Sequence, residues 1–185
     1  MIIVDGKKYI AADKNQFAGS HGISNAEQHM QIRRYGYEIC PVPLPFGDYC
    51  LLTDQMTETI KRRENRLKKA DFVGDIKVSV DTKASMDEVA MNIQSPSHNR
   101  FRDEAILAQK CGCKLCVLIC DERIRGINDV AGWKSKRKKS KVNPESLMKA
   151  MKTMSEKYGI YWYFCKRESI GRAIIYLLTG DDMGA

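Results

Sequence analysis

Six consecutive apolar residues, Leu115-Cys116-Val117-Leu118-Ile119-Cys120, constrain the fold more than any other stretch. A strand with one face in water alternates apolar and polar residues, whereas an unbroken run of strand length suits a strand covered on both faces. The flanking sequence supplies helices for those two layers. Ser85-Met86-Asp87-Glu88 is a capping box opening a helix that turns Val89, Ala90 and Ile93 inward. Ser95-Pro96-Ser97 breaks it, and a second helix from Arg100 to about Cys111 buries Phe101, Ala105, Ala108 and Cys111 before Gly112. Asn143-Pro144-Glu145 places Pro at the first position of a helix that buries Leu147, Met151 and Met154 and stops at Gly159. A strand over 160–165 and a helix over 170–178 follow.

The first half reads as strands with two helices. Ile2-Ile3-Val4 and Tyr9-Ile10-Ala11-Ala12 flank Asp5-Gly6, a hairpin signal, and the second run ends on the carboxylate of Asp13. After a polar loop, Ser24-Asn25-Ala26-Glu27 forms another capping box with Ser24 as N-cap, for a helix to about Tyr35 stopped by Gly36. Tyr37–Cys40 is a strand that Pro41, Pro43 and Pro45 either end early or confine to an edge. Phe46–Leu52 resumes as a strand. Residues 53–70 are helical in composition, with Met56, Ile60 and Leu67 a thin apolar stripe among Lys61, Arg62, Arg63, Arg66, Lys68 and Lys69. That basic surface is either a solvated face or a phosphate-contacting one. Ile76 to Asp81 then alternates cleanly, Ile76, Val78 and Val80 against Lys77, Ser79 and Asp81. No internal repeat is visible. The order predicts one α/β domain over 1–185, a mixed central sheet flanked by helices, with an inserted basic helix at 54–72 and a basic loop at 121–142.

Thirty-one Lys and Arg against 23 Asp and Glu give a formal net charge of +8, which favours a polyanionic partner, nucleic acid before an anionic membrane. No apolar run approaches ~18 residues, so no membrane span is expected. The first residues lack a basic and then apolar leader, and seven cysteines, several in apolar runs, suit free thiols in a reducing cytoplasm.

Chemistry concentrates in Val80-Asp81-Thr82-Lys83-Ala84-Ser85-Met86-Asp87 and in Gly47-Asp48-Tyr49. Asp81 and Lys83, two apart on a strand, project from one face, and the Asp48 run can lie beside them. Two carboxylates and an ammonium at strand ends suit Mg²⁺-dependent phosphodiester cleavage: hard oxygens hold the ion while the lysine meets developing charge or the attacking water. Asp87, one turn into the following helix, either joins this set or simply favours the helix N-terminus.

Gly47-Asp48-Tyr49 followed by Asp81-Thr82-Lys83-xxx-Asp87 resembles the signature of the XPF-type nuclease domain, Gly-Asp-Tyr then Glu-Arg-Lys-xxx-Asp. That excision-repair family belongs to the PD-(D/E)XK restriction-endonuclease-like superfamily, with an αβββαβ core. Asp13-Lys14-Asn15-Gln16 falls where the family has Asp-x-Arg-Glu, and Asn99-Arg100-Phe101 where it has Gly-Arg-Leu/Phe. The resemblance implies a DNA endonuclease using Mg²⁺, with Mn²⁺ able to substitute, and acting at branched or flapped DNA in repair or recombination. Asp48, Asp81, Lys83 and Asp87 would be catalytic, while Asp48, Asp81, the Thr82 carbonyl and Asp13 would bind metal. Arg100, with Glu104 in support, the Arg62, Arg63 and Arg66 group and Lys136, Arg137 and Lys138 would meet DNA. Asp stands here for the family's Glu and Thr for its Arg, and residues 50–80 form a far longer gap than its usual hairpin. A homodimer through helices near the C-terminus is also implied. The absence of a helix-hairpin-helix or helicase module suits a stand-alone phage or bacterial version.

Other readings stay open beside these. The domain is alternatively a non-catalytic DNA-binding or scaffold subunit, or a resolvase-type nuclease of the same superfamily. Cys111, Cys113, Cys116 and Cys120 invite a zinc site, although Cys116 and Cys120 should point into a core. His21, His29 and His98 are isolated, and Trp133 either stacks on a base or pins the basic run 134–141.

Overall fold

A computed structural model describes residues 3–4, 7–17, 22–63, 66–94, 98–138 and 140–181. Among the described residues seven strands form one sheet: β1 (Ile3–Val4), β2 (Lys7–Asp13), β3 (Tyr37–Val42), β4 (Tyr49–Leu51), β5 (Val78–Lys83), β6 (Lys114–Cys120) and β7 (Ile160–Cys165). The helices are α1 (Gly22–Arg34), α2 (Asp54–Arg63), α3 (Met86–Gln94), α4 (His98–Lys110), α5 (Pro144–Tyr158) and α6 (Ile170–Thr179). β1 and β3 both pair with β2, and from β2 the order runs β4, β5, β6, β7. β2–β4 and β4–β5 are antiparallel, whereas β2–β3, β5–β6 and β6–β7 are parallel. The mixed α/β sheet is therefore as expected. Its detail is that β2 lies between β3 and β4, so these two do not pair as an uninterrupted meander.

β6 explains why its sequence is apolar throughout. Leu115, Val117 and Ile119 face one core, filled by Met56 of α2, Met86 and Val89 of α3, Phe101 and Ala105 of α4, and Leu147 and Met151 of α5. Cys116 and Leu118 face another, filled by Ile32 of α1 and Ile170, Ile174 and Ile175 of α6. Each face of the strand is dry, and alternation vanishes from the sequence. α1 and α6 approach closely because Gly171 has no side chain: a Cβ there would lie 2.9 Å from the Ile32 nitrogen. Gln31 spans the contact, accepting from Gly171 N at 2.9 Å and donating to Arg167 O at 3.1 Å.

Several boundaries move. α1 begins at Gly22, so Ser24 lies within it rather than at its N-cap, and Glu27 pairs with Arg167 at 3.0 Å. The helix expected over 53–70 is α2 followed by a separate helical turn over Lys69–Phe72; Arg63 and Asp71 join the two at 3.1 Å. β3 continues through Pro41, which is in register with Ala12. Among the described residues β3 pairs only with β2, so the proline sits on an edge strand, where its missing donor is tolerated. Asn143 caps α5 by accepting from Ser146 N at 2.9 Å, and Gly36, Gly112, Gly159 and Gly180 have positive φ at the expected stops.

Candidate active site

The site is assembled by backbone geometry at the point where β2, β4 and β5 meet. Gly47 has φ +66, and a Cβ on it would overlap Ser79 Oγ. Ser79 Oγ donates to Phe46 O at 3.1 Å, which fixes the turn against β5. The next residue, Asp48, is held on both sides: its N–H donates to Val80 O at 2.8 Å and its carbonyl accepts from Asp13 N at 2.8 Å. The Gly-Asp-Tyr triplet is thus one glycine permitting a tight approach, one placed carboxylate and one buried anchor, since Tyr49 is fully buried. Gly47→Ala is expected to cost about 2–4 kcal/mol, from left-handed strain plus overlap with Ser79. A fall in melting temperature by several degrees checks this; an unchanged value contradicts the packing described.

Asp48 Oδ2 accepts from both Thr82 N and Thr82 Oγ1 at 2.7 Å, and Oδ1 accepts from Gln16 Nε2 at 2.7 Å. Where the resembled signature has a cation, Thr82 therefore supplies a neutral hydroxyl that aims the neighbouring carboxylate. Asp81 and Lys83 stand on the α3–α5 face of β5, as the spacing predicts, with Lys83 Nζ 2.7 Å from Asp81 Oδ2. Both residues are under 10% exposed, so the pair is largely desolvated. The contact is a close ion pair, and this ammonium is the partner that the buried Asp81 Oδ2 meets. Phe101 of α4 lies beneath the ammonium, with its ring centroid 5.4 Å from Nζ.

These charges and their burial act on Asp48 and Lys83. Burial, and then the negative charge of Asp81, push the Asp48 carboxyl up to about 7 against the pull of Lys83 and Thr82. Burial would lower Lys83, but Asp81 and Asp48 outweigh it and hold the lysine above its ordinary value. The site therefore presents a permanent cation beside two carboxylates that resist sharing negative charge without a further counter-ion.

One polar cleft of about 400 Å³ gathers Asp13, Asp48, Asp81, Thr82, Lys83 and Arg100. Arg100 is at its rim, paired with Glu104 at 3.2 Å. Asp13 is in the wall, but Asn15 N and Leu44 N donate to its two oxygens at 2.9 and 3.0 Å, so its carboxylate mainly holds the chain. Arg62, Arg63 and Arg66 do not line this cleft; Lys69, on the turn after α2, does, with Nζ 4.0 Å from Asp13 Oδ2. Asp87 turns away, accepting from Ser135 Oγ and from Lys136 N at 3.1 Å. Its neighbour Glu88 lines the cleft instead and accepts from Ala84 N at 2.8 Å. Gln16 and Glu88 were visible in the sequence only as the end of a polar quartet and as a helix cap.

The remaining candidates resolve into structure. Trp133 is 2% exposed and pins its loop rather than offering a stacking platform. All seven cysteines are free thiols, and Cys113 and Cys116 fall in opposite cores, which is incompatible with one zinc site. His29 is buried among Phe17 and Tyr49, and burial, then Arg33, hold it neutral with a pKa near 4. His21 and the side chain of His98 lie outside the described residues. No helix is long and apolar enough to cross a membrane among the residues described.

Residues 13–176, from the aspartate ending β2 to a tyrosine of α6, match the ERCC4 domain. The chain belongs to the ERCC4-domain family. Its fold is similar to that of XPF from Aeropyrum pernix, with a TM-score of 0.56 and 15% identity. The likeness covers 92% of this chain and 59% of that one, so this chain spans about three-fifths of the length of the archaeal chain. No curated protein matches it.

A divalent ion can be tested against the ERCC4-domain cleft directly. The donors are hard oxygens, among them the buried Asp81 Oδ2 that faces the Lys83 ammonium, and the negative charge of Asp81 is close enough to help raise the Asp48 carboxyl. Among the described residues no three His, Cys, Asp or Glu side chains form a ready cage. Hard oxygen donors of this kind suit a hard divalent cation and not a structural zinc.

Proposed function

We propose that this ERCC4 domain is a metal-dependent endonuclease that hydrolyses phosphodiester bonds in DNA, with Mg²⁺ as its ion and Mn²⁺ as a substitute. The observation that carries the reading is the convergence of Asp48, Asp81 and Lys83 in one polar cleft, with the buried lysine held charged by both carboxylates. Asp48 and Asp81 would hold the ion. N–H and C=O of an extended residue point the same way, so the Thr82 carbonyl faces Asp48, as its N–H does, and offers a third oxygen. When bound, such an ion polarises a phosphoryl oxygen and acidifies a water.

The chain's own residues perform the rest. Lys83 is a poor base because it stays protonated; its role is to meet negative charge gathering on the phosphate or to orient the attacking hydroxide. Thr82 and Gln16 keep Asp48 aimed into the cleft. Arg100 and Lys69, which line the cleft, would contact the DNA backbone. Branched or flapped DNA is the substrate class we assign from the family signature.

The deciding experiment offers flap, fork, four-way and linear DNA to the protein with Mg²⁺, with Mn²⁺ and with excess chelator. Cleavage that needs the ion and favours a branched form supports the reading. Salt-dependent binding with no cutting of any substrate identifies a scaffold subunit instead, and cutting that persists in chelator removes the metal assignment.

A further inference from the structure

Asp87, although it carries the last position of the family signature, contacts no residue of the Asp48–Asp81–Lys83 set. It is spent on the basic loop. One carboxylate oxygen accepts from Ser135 Oγ and the other from Lys136 N at 3.1 Å. Ser135 Oγ in turn accepts from Arg137 N at 3.0 Å. Two further anchors hold the same segment. Trp133 is buried in the core, and Arg123, which grips Asp121 through Nε and Nη2 at 3.1 and 3.0 Å, donates to Lys134 O at 3.5 Å. Meanwhile Lys134, Lys136, Arg137 and Lys138 are all exposed.

A run of like charges left to itself spreads out and stays solvated. Fastening one at three points costs chain entropy and crowds cations together, both unfavourable unless a polyanion relieves the repulsion. The anchor is also placed with respect to the chemistry, because Asp87 is in the first turn of α3, which begins three residues after Lys83. We propose that Asp87 is a positioning residue: it docks the 134–138 segment beside the cleft so that Lys136, Arg137 and Lys138 grip the DNA backbone leading to the site. The inference rests on the nuclease reading only for the nature of that DNA, and two of its measurements need no cleavage.

The test compares Asp87→Ala, Ser135→Ala and a triple replacement of Lys136, Arg137 and Lys138 by Ala. Trypsin cutting after Arg137 and Lys138 in the folded protein is expected to rise about tenfold in Asp87→Ala, since two bonds to a charged acceptor are lost. Ser135→Ala should show a smaller rise; it removes one donor and no charge, and keeps the test available if Asp87→Ala folds poorly. In chelator, Asp87→Ala should weaken duplex binding about tenfold and flatten its salt dependence by roughly one to two phosphate contacts. Adding Asp87→Ala to the triple replacement should cost nothing further, because the cations it positions are gone. Under cleaving conditions Asp87→Ala should raise KM while kcat at saturating DNA stays within about threefold. Unchanged trypsin rates, unchanged DNA affinity or additive losses overturn the proposal. So does a variant that loses kcat at constant KM, an outcome that leaves the nuclease reading standing. If the unaltered protein cuts no DNA, that reading fails, and the trypsin and affinity results still decide the role of Asp87.

Discussion

Asp81→Asn should lower DNA cleavage at saturating substrate and metal by on the order of 10³-fold, while leaving DNA affinity in chelator within about threefold. The change keeps the shape of a residue that is only 7% exposed, but removes one of the two formal negative charges facing the proposed ion. It also removes the nearer partner of Lys83, 2.7 Å away, so the cation that meets the phosphate loses its orientation. Lys83→Ala should be as severe in activity but less clean in interpretation. Deleting one member of a buried pair strands the other, at a cost of about 3–5 kcal/mol in the metal-free protein. Circular dichroism should therefore establish folding before that variant is assayed. A single-turnover assay on the preferred DNA decides the matter. Asp81→Asn cutting within tenfold of the unaltered protein would remove this carboxylate from the chemistry.

The parts of this molecule that were legible in its sequence are those in which a local signal equals the structural cause. Leu115–Cys120 is apolar because both faces of β6 are dry, and Asn143-Pro144 opens α5 because cap and φ preference are local properties. Asp81 and Lys83 share a face because strand geometry leaves no choice. What stayed hidden depends on partners distant in the chain. The insertion of β2 between β3 and β4 reflects its pairing with both, which no periodicity reveals. The sequence leaves Asp87 between the site and a helix N-terminus, and its partners prove to be Ser135 and Lys136, far along the chain. For Trp133 the sequence leaves stacking on a base and pinning the basic run equally open, and the structure decides for pinning, because burial of a single tryptophan leaves no local pattern. Thr82 shows the opposite case, a departure from the family signature whose structural meaning emerged only once its hydroxyl was found on Asp48.

In the absence of divalent ions, folding stability should fall as pH rises from about 4 to about 7, and Asp48→Asn should abolish that part of the loss. The ordinary carboxyl value is 3.8, and in the folded protein burial and Asp81 raise Asp48 to about 7. Between those two values the folded chain retains a proton that the unfolded chain has released. Stability then decreases with increasing pH across that window and levels off above it. The size is on the order of 1–4 kcal/mol, corresponding to roughly 2–10 °C of melting temperature for a chain of this length. Asn keeps an oxygen to accept from Thr82 N and Oγ1, and rotation of the Gln16 amide restores an acceptor for its NH₂ group, so the comparison isolates the charge. The measurement is a pair of melting curves in chelator at pH 5.5 and pH 8. The unaltered protein should lose more stability than Asp48→Asn on going to the higher pH, and added Mg²⁺ should restore it in the unaltered protein alone. Parallel losses in the two proteins would show that Asp48 is ionised throughout, and that the two carboxylates coexist without the tension that a bound cation is proposed to relieve.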